Sequence, residues 1–446
     1  MNQKLTGKQY ALLASMLFGM FFGAGNLIFP IILGAKAGAS LVPALLGMLI
    51  TAVGMPLLGI VALGVSRSSG LMQMSGRVAK WYSYFFTCAL YLTIGPFFAI
   101  PRCAATSFTM GIAPLVSGSH TVPQAIFTTL FFAAVLFFAL RPNNIMNSIG
   151  KYLNPIFLVC LGILVVAALL DPIQSVRSVA ASGAYADNAF STGFLQGYDT
   201  LDALASLAFG IIVVNVIKEM GVEEPGAIAK NTIQSGIFSM ILMTVIYALI
   251  AIVGAQSYGL YADQMGEASF NGGNAFAIIA QHYLGKAGMI VLALTVTFCC
   301  MKTAIGLVTA CADTFCEMFP RSLCYRNWAI VFTAFSLLVS NIGLSKIISF
   351  SAPVLYFLYP LAIMLILLNI FGRYFNYARP VFVCAIGCTL VAAVFDLLKV
   401  AGLAQGVVDW VGTWLPFYSL GLGWVVPGAV GTLVGLVAAK AGRKTV

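Results

Sequence analysis

The chain has 446 residues, of which 61% are hydrophobic and only 8% are charged, and its mean hydropathy is +1.00. A soluble globular domain carries about 25% charged residues, so this composition excludes that class and predicts a membrane protein with many spans. The net charge of +10 does not indicate nucleic-acid binding, because the basic residues stand between the apolar runs and form no continuous stripe.

Apolar runs of about 20 residues, the length that crosses a hydrocarbon core of about 30 Å, recur along the whole sequence. We predict an all-α polytopic membrane protein with twelve spans and no soluble domain. The predicted spans are residues 8–34, 41–65, 79–108, 121–140, 148–170, 194–218, 229–255, 285–318, 325–342, 346–370, 379–400 and 421–440.

The charge distribution predicts the topology. With a cytoplasmic N-terminus, most of the 23 Lys and Arg residues fall on the inner side, which by the positive-inside rule places both termini in the cytoplasm and the chain in the inner membrane of the cell. The first apolar run follows Lys4 and Lys8 and is too long for the apolar core of a signal peptide. We therefore expect it to remain as the first span.

The first span contains three glycines, an asparagine and a proline between Gly19 and Pro30. In a helix interior, glycine costs about 1 kcal/mol and proline about 3 kcal/mol relative to alanine, so these residues predict a broken helix. Unwound backbone at membrane depth persists only where it lines a cavity or is buried in protein. The break is therefore a candidate binding site.

The third span holds Pro96 and Pro101, which predict a kink, and then Arg102. A charge at the bilayer centre costs at least about 2.5 kcal/mol, so we expect Arg102 near the outer end of its helix or in an aqueous vestibule. Two roles are open for it: a structural ion pair or interfacial anchor, and a gate or substrate-binding group.

The sixth span carries Asp199, Asp202 and a run of small residues in its outer half, which predicts a second broken helix. The alternative is an unbroken helix whose acids lie at the interface and favour its N-terminus. The preceding residues 171–193 are rich in Ser, Ala, Asp and Gly, and we expect them to form an extracellular loop.

The eighth span holds Lys302 near its middle, where the side chain cannot easily reach either interface. The ammonium must pair with an acid or with backbone carbonyls, or the group titrates. Lys302 is therefore either a functional residue or a buried structural cation.

Spans 1–5 and spans 6–10 have similar lengths, and each set begins with an interrupted helix. An odd number of spans inverts the second set relative to the first, and paired broken helices point to the midplane site of a transporter. We predict a first inverted repeat at residues 8–170, a second at 194–370, and two appended spans at 379–440.

Two broken helices can hold a zwitterion, because half-helix N-termini present N–H groups and half-helix C-termini present carbonyls. We predict that the N–H groups of residues 24–26 face a carboxylate and that the carbonyls of residues 203–205 face an ammonium. An apolar slot that includes Phe98 would take an aliphatic side chain. The predicted substrate-binding residues are Gly23, Ala24, Gly25, Asn26, Ile94, Gly95, Phe97, Ala203, Ser206 and Phe209.

Four motifs resemble those of the branched-chain amino acid:cation symporter family. They are Phe-Phe-Gly-Ala-Gly-Asn-Leu-Ile-Phe-Pro at 21–30, Gly-Pro-Phe-Phe-Ala-Ile-Pro-Arg at 95–102, Leu-Asp-Ala-Leu-Ala-Ser-Leu-Ala-Phe-Gly at 201–210 and Lys-Thr-Ala-Ile-Gly-Leu at 302–307. The resemblance covers essentially the whole chain. It implies the leucine-transporter-type fold of two inverted five-helix repeats plus two helices, with alternating access and symport of Leu, Ile or Val with Na⁺.

The resemblance also implies a cation site between the first and eighth spans, at Gly19, Phe22, Cys299, Lys302 and Thr303. Lys302 stands where relatives usually carry a hydroxyl, so its ammonium is a candidate substitute for Na⁺, with coupling to H⁺ or to no ion. The position of a second sodium ligand is Leu204, which has no hydroxyl. Ordinary Na⁺ symport and an uncoupled facilitator or exchanger remain alternatives.

An intramembrane enzyme is the competing class. It would need a nucleophile and base or a metal cluster, and the two histidines, His120 and His282, lie outside the spans. The ten cysteines are mostly within spans and are interpreted as small packing residues. We expect no enzyme activity, no cofactor beyond Na⁺ or H⁺, no nucleic acid and no obligate protein partner, with membrane lipids around the chain.

Overall fold

The computed structural model describes residues 5–141, 145–222 and 224–443. These residues form helices and contain no strand, and each of the twelve predicted spans coincides with helix. The helices of the first half are α1 (Gly7–Phe21), α2 (Gly25–Ala37), α3 (Leu41–Leu49), α4 (Met55–Ser66), α5 (Leu71–Gly76), α6 (Lys80–Leu92), α7 (Ala99–Gly111), α8 (Thr121–Ala139) and α9 (Ile145–Leu170).

The second half continues in the same way. Its helices are α10 (Ala184–Gln196), α11 (Asp202–Glu219), α12 (Pro225–Gln256), α13 (Gly272–Met318), α14 (Tyr325–Ser340), α15 (Leu344–Ile370), α16 (Arg379–Val400), α17 (Gln405–Trp414) and α18 (Val425–Arg443).

The predicted break in the first span is confirmed. Helix α1 begins with a capping box between Thr6 and Gln9 and ends at Phe21, where Phe22 turns to extended backbone with ψ 109°. Helix α2 starts again at Gly25 and continues through Pro30. The third span also bends as predicted, because a π-turn at residues 93–97 separates α6 from α7 and Gly95 departs from helical dihedrals.

The second predicted break is confirmed, but its outer half begins earlier than predicted. A 3₁₀ turn at residues 197–200 and Leu201, with φ 67°, separate α10 from α11. Helix α10 starts at Ala184, so the expected loop 171–193 is wrong over its last ten residues. The physical reason is packing: Gly193 lies directly against the carbonyl of Ala44, a close approach that hydropathy does not register.

Seven stretches among the described residues are long and apolar enough to cross a membrane. They are Gly25–Ser66, Lys80–Leu115, Thr121–Ala139, Gly226–Gln256, Gly272–Met318, Leu344–Phe375 and Arg379–Val400. Two shorter apolar helices, Pro155–Leu170 and Val425–Ala441, accompany them. Because a break leaves each half-helix shorter than a bilayer, length alone does not confirm the count of twelve, and the repeat boundaries at 8–170, 194–370 and 379–440 also stay predictions.

The broken helices lie at the centre of the packing. Helix α2 contacts α12 and α13, α7 runs along α13, and α11 packs on α4. Helix α16 joins α15 to α18 at the periphery. This arrangement brings α1, α2, α7, α11 and α13 to the two breaks, which no short stretch of sequence specifies by itself.

Candidate functional site

The first break leaves both ends of a helix open. The N–H of Gly23 donates to Oδ1 of Asn26 at 2.7 Å, so the Gly19 carbonyl loses the donor that a continuous helix would supply. The N–H of Asn26 donates to the carbonyl of Gly23 at 3.2 Å. In the described part of the chain, no acceptor takes the N–H groups of Ala24 and Gly25. The N-terminus of α2 therefore presents two free donors and the positive end of its dipole.

Asn26 links the two breaks. Its Nδ2 donates to Oδ2 of Asp202 at 2.8 Å and to the hydroxyl of Tyr247, and that hydroxyl donates to the same carboxylate oxygen at 3.1 Å. All three side chains are buried. The prediction had the Asn26 N–H facing a substrate, whereas the structure bonds its amide internally. Tyr247 was missed, since no local pattern marks a single tyrosine on α12 as a partner of a residue 221 positions away.

Arg102 binds the backbone carbonyls that the second break exposes. Its Nη1 donates to the carbonyl of Asp199 at 2.5 Å and its Nη2 to that of Thr200 at 3.2 Å. The guanidinium is 4% exposed and lies 5.2 Å from the ring centroid of Phe29. Arg102 therefore does not lie in an aqueous vestibule, one of the two positions expected for it, because the carbonyls freed by the break stabilise its charge in a buried position.

Gly25 allows the two breaks to meet. A methyl group at this position would lie 2.9 Å from Nη2 of Arg102 and 3.3 Å from the carbonyl oxygen of Thr200. Only glycine lets the N-terminus of α2 approach so closely. The free N–H of Gly25 and the guanidinium of Arg102 thus share one small region, which is strongly attractive to an anion.

The carbonyls expected to face an ammonium are not free. Residues 203–205 lie in the first turn of α11, where the open groups are N–H donors and the carbonyls bond along the helix. Ser206 donates back to the carbonyl of Ala203 at 2.7 Å and faces Gly59 of α4. The error has a simple cause: the break lies at residues 197–201, one turn before the predicted position.

The predicted apolar slot is only partly assembled. A methyl group on Gly95 would lie 2.6 Å from Sγ of Cys311, so Gly95 faces α13, and the preceding Ile94 is buried. The ring of Phe97 is 38% exposed and its centroid lies 5.2 Å from that of Phe335 on α14. Phe97 also contacts Phe98. The structure therefore does not bring these residues to the N-terminus of α2.

Phe209 is buried, seven positions after Asp202 on α11. At about 1.5 Å per residue it lies about 10 Å along the helix from the break. Its ring therefore lies away from the break, at the level where the hydroxyl of Tyr91 on α6 donates to the neighbouring Ala208 carbonyl at 3.3 Å.

The five residues of the expected cation site lie together. The Nζ of Lys302 is 3.5 Å from the carbonyl oxygen of Gly19, and Sγ of Cys299 is 3.7 Å from that of Phe22. The hydroxyl of Thr303 donates to the Cys299 carbonyl at 3.2 Å. These contacts join α13 to the carbonyl end of α1; the role of the group in binding a cation stays a prediction.

Two further observations bear on ions. Leu204 is fully buried and offers no oxygen ligand from its side chain. The described residues contain no group of three or more His, Cys, Asp or Glu side chains with the geometry of a metal site.

Solved structures define the class of this architecture. Mhp1, a nucleobase-cation-symport-1 family transporter in a closed conformation with bromovinylhydantoin bound, aligns with a TM-score of 0.61 and 16% identity over 98% of this chain and 93% of its own. MhsT in complex with L-phenylalanine aligns with a TM-score of 0.55 and 14% identity over 98% and 99%. The fold is that of the leucine-transporter-type membrane transporters, as the sequence motifs predicted.

The family follows from sequence. The family model described as branched-chain amino acid transport protein matches residues 6–442. The branched-chain amino acid permease BrnQ of Lactobacillus delbrueckii subsp. lactis is 48% identical over 96% of both chains. BrnQ of Escherichia coli K12 is 34% identical over 100% of this chain and 99% of its own. The chain belongs to the branched-chain amino acid transport protein family. It is an integral membrane transporter and not an enzyme.

Proposed function

We propose that this protein imports the branched-chain amino acids Leu, Ile and Val by alternating access, with both termini in the cytoplasm of the cell and its spans in the inner membrane. The names of its relatives support the substrate class. The observation that carries the proposal is the free N–H groups of Ala24 and Gly25 at the N-terminus of α2, with Gly25 beside the guanidinium of Arg102.

The carboxylate of the amino acid accepts hydrogen bonds from this region. A guanidinium has five N–H donors, and the carbonyls of Asp199 and Thr200 take two of them. The remaining donors of Arg102 and the N-terminus of α2 supply charge-assisted bonds of the kind that bind carboxylates. The substrate carboxylate also neutralises a buried positive charge, which favours its binding over that of a neutral analogue.

Asp202 is the acceptor proposed for the ammonium group. Its Oδ2 accepts from Asn26 at 2.8 Å and from Tyr247 at 3.1 Å, which fixes the carboxylate between the two breaks. The open carbonyl end of α1 lies at the same break and adds negative partial charge. This assignment replaces the predicted carbonyls of residues 203–205.

The coupling ion is the second part of the proposal. The ammonium of Lys302 stands beside the Gly19 carbonyl, so it satisfies the end of α1 that a sodium ion would otherwise bind. The buried Leu204 supplies no side-chain ligand for a further sodium ion. We therefore expect transport to be driven by an H⁺ gradient or to need no ion gradient. The experiment distinguishes H⁺ coupling, Na⁺ coupling and uncoupled exchange.

The test is leucine uptake into proteoliposomes with an inward Na⁺ gradient, with an inward H⁺ gradient in Na⁺-free buffer, and with neither. Wild type, Lys302→Thr and the control Lys286→Thr are compared; Lys286 is exposed on the same helix. We expect the wild type to ignore Na⁺, Lys302→Thr to gain Na⁺ dependence, and the control to match the wild type. Na⁺-driven uptake by the wild type contradicts the role given to Lys302, and no uptake of any branched-chain amino acid contradicts the substrate.

A further inference from the structure

Asp396 on α16 is a buried acid that the transport site does not use. It is 1% exposed, and neither carboxylate oxygen has a hydrogen-bond partner in the described part of the chain. Two donors in the same region, the indole Nε1 of Trp424 and the hydroxyl of Tyr198, are also buried; they lie beside each other, and neither donates to Asp396. A carboxylate without partners is expensive inside a membrane protein, so this group requires an explanation.

The neighbouring lysine does not neutralise it. Lys399 lies one turn further along α16, but its Nζ donates to the carbonyls of Tyr418 at 2.7 Å and Ser419 at 3.3 Å. The same ammonium lies 4.8 Å from the ring centroid of Tyr418. The ammonium of Lys399 attracts an ionised Asp396 from a distance but gives it no hydrogen bond, so the carboxylate would lack direct partners. The packing seen here therefore suits the neutral acid.

Few titratable groups face this carboxyl. They are Lys399 on its own helix, Tyr198 between α10 and α11, Tyr356 on α15 and Tyr418 between α17 and α18. The three tyrosines are neutral near pH 7. The charge state of Asp396 is thus the variable one in this region.

The region is connected to the second break. Tyr198 belongs to the 3₁₀ turn that separates α10 from α11. Its ring stacks on that of Tyr359 of α15, with centroids 4.2 Å apart and planes at 17°. Trp424 lies beside Tyr198 at the start of α18. A change around Asp396 therefore acts directly on the unwound segment that carries Asp199 and Thr200.

We propose that Asp396 is a proton-binding site whose ionisation loosens the packing of α16 and α18 against the break between α10 and α11. Loss of the proton to water leaves a carboxylate that must recruit water or the donors of Tyr198 and Trp424. Either response displaces side chains that now pack around the neutral acid. Protonation then favours the packing seen in this structure, and the site makes the position of α10 sensitive to pH, whatever the identity of the transported amino acid.

The first test needs no substrate. Infrared difference spectra of the purified protein in nanodiscs, recorded across a pH titration, report the carbonyl stretch of a protonated carboxylic acid. Because each of the 13 Asp and Glu residues contributes to this band when protonated, the Asp396→Asn spectrum is subtracted from that of the wild type, and we expect the difference to contain an acid band that is lost at high pH. Asp409→Asn, which changes an exposed acid on the neighbouring α17, is the matched control and should keep the band. A wild type without the band, or an unchanged band in Asp396→Asn, overturns the proposal.

The second test links the site to transport. Leucine counterflow without any ion gradient is measured as a function of pH for the same proteins. Asp396→Asn mimics the neutral acid, so we expect it to keep the rate of the wild type at low pH and to lose the decline at high pH. A pH profile identical to that of the wild type overturns the proposal.

If Asp396→Asn does not fold, Trp424→Phe is measured instead. This variant removes one donor that the ionised acid would recruit, so the infrared band should be lost at a different pH than in the wild type. Loss of the band at the same pH as in the wild type overturns the proposal. Failure of the transport proposal looks different, because counterflow is then absent in the wild type at every pH while the infrared titration remains.

Discussion

The two breaks of this transporter differ in whether their exposed backbone groups have hydrogen-bond partners. At the second, the carbonyls of Asp199 and Thr200 are taken up by Arg102. At the first, the N–H groups of Ala24 and Gly25 have no acceptor from the described residues, although Gly25 lies next to that arginine. The protein stabilises one unwound segment with its own side chain, and we propose that the other binds the substrate. Unsatisfied backbone donors inside a membrane protein therefore mark the binding end of the pair.

Replacing Arg102 should have the largest effect on this contrast. Arg102→Gln removes charged hydrogen bonds to two carbonyls, each worth about 1.5 to 3 kcal/mol, and takes away a proposed carboxylate ligand. We expect leucine uptake to fall below detection and the melting temperature in detergent to drop.

Arg77→Gln is the matched control, because Arg77 also bonds a backbone carbonyl, that of Ser66, at 2.6 Å, but stands outside the breaks. It should lower the melting temperature and leave the KM for leucine unchanged. Equal effects of the two variants on KM would show that Arg102 is only structural.

Adding a methyl group at Gly25 should have the next largest effect. In Gly25→Ala the new carbon would meet Arg102 at 2.9 Å and Thr200 at 3.3 Å, so the two breaks must separate. We expect at least about a tenfold loss of uptake, which corresponds to about 1.4 kcal/mol.

Gly23→Ala provides the comparison, since its methyl group would find the nearest atom, Oγ1 of Thr303, at 3.6 Å, an ordinary contact. Its uptake should stay within about threefold of the wild type, under about 1 kcal/mol. Similar losses in both variants would contradict the close approach at Gly25.

Removing the hydroxyl of Tyr247 should have the smallest effect. Tyr247→Phe deletes the group that contacts both Asn26 and Asp202 but leaves the direct bond between them. The loss of about 1 kcal/mol predicts roughly a fivefold rise in the KM for leucine. Tyr10→Phe loses a hydroxyl bonded to Asn231 and Gln234 away from the breaks and should leave the KM unchanged. A Tyr247→Phe variant with the wild-type KM would separate this network from substrate binding.

The sequence by itself determined the features that depend on local chemistry. Glycine, asparagine and proline in the first span weaken a helix wherever they occur, so the break before Gly25 was predictable, as was the bend at Gly95 and Pro96. Each span predicted from hydropathy coincides with helix, and the motifs indicated the fold and the family. The grouping of Lys302 with Gly19 followed from resemblance rather than from any local rule.

Tertiary structure decided how the freed backbone groups are used. Arg102 meets a carbonyl 97 positions away, and Asn26 meets a carboxylate 176 positions away. Such partners are selected by how the helices pack, which no local pattern encodes. The outer half of the sixth span was missed for the same reason, because small residues of α10 become helical and buried only against α3. Local composition shows where a helix breaks, whereas only the packed bundle determines which exposed groups are satisfied and which remain for a ligand.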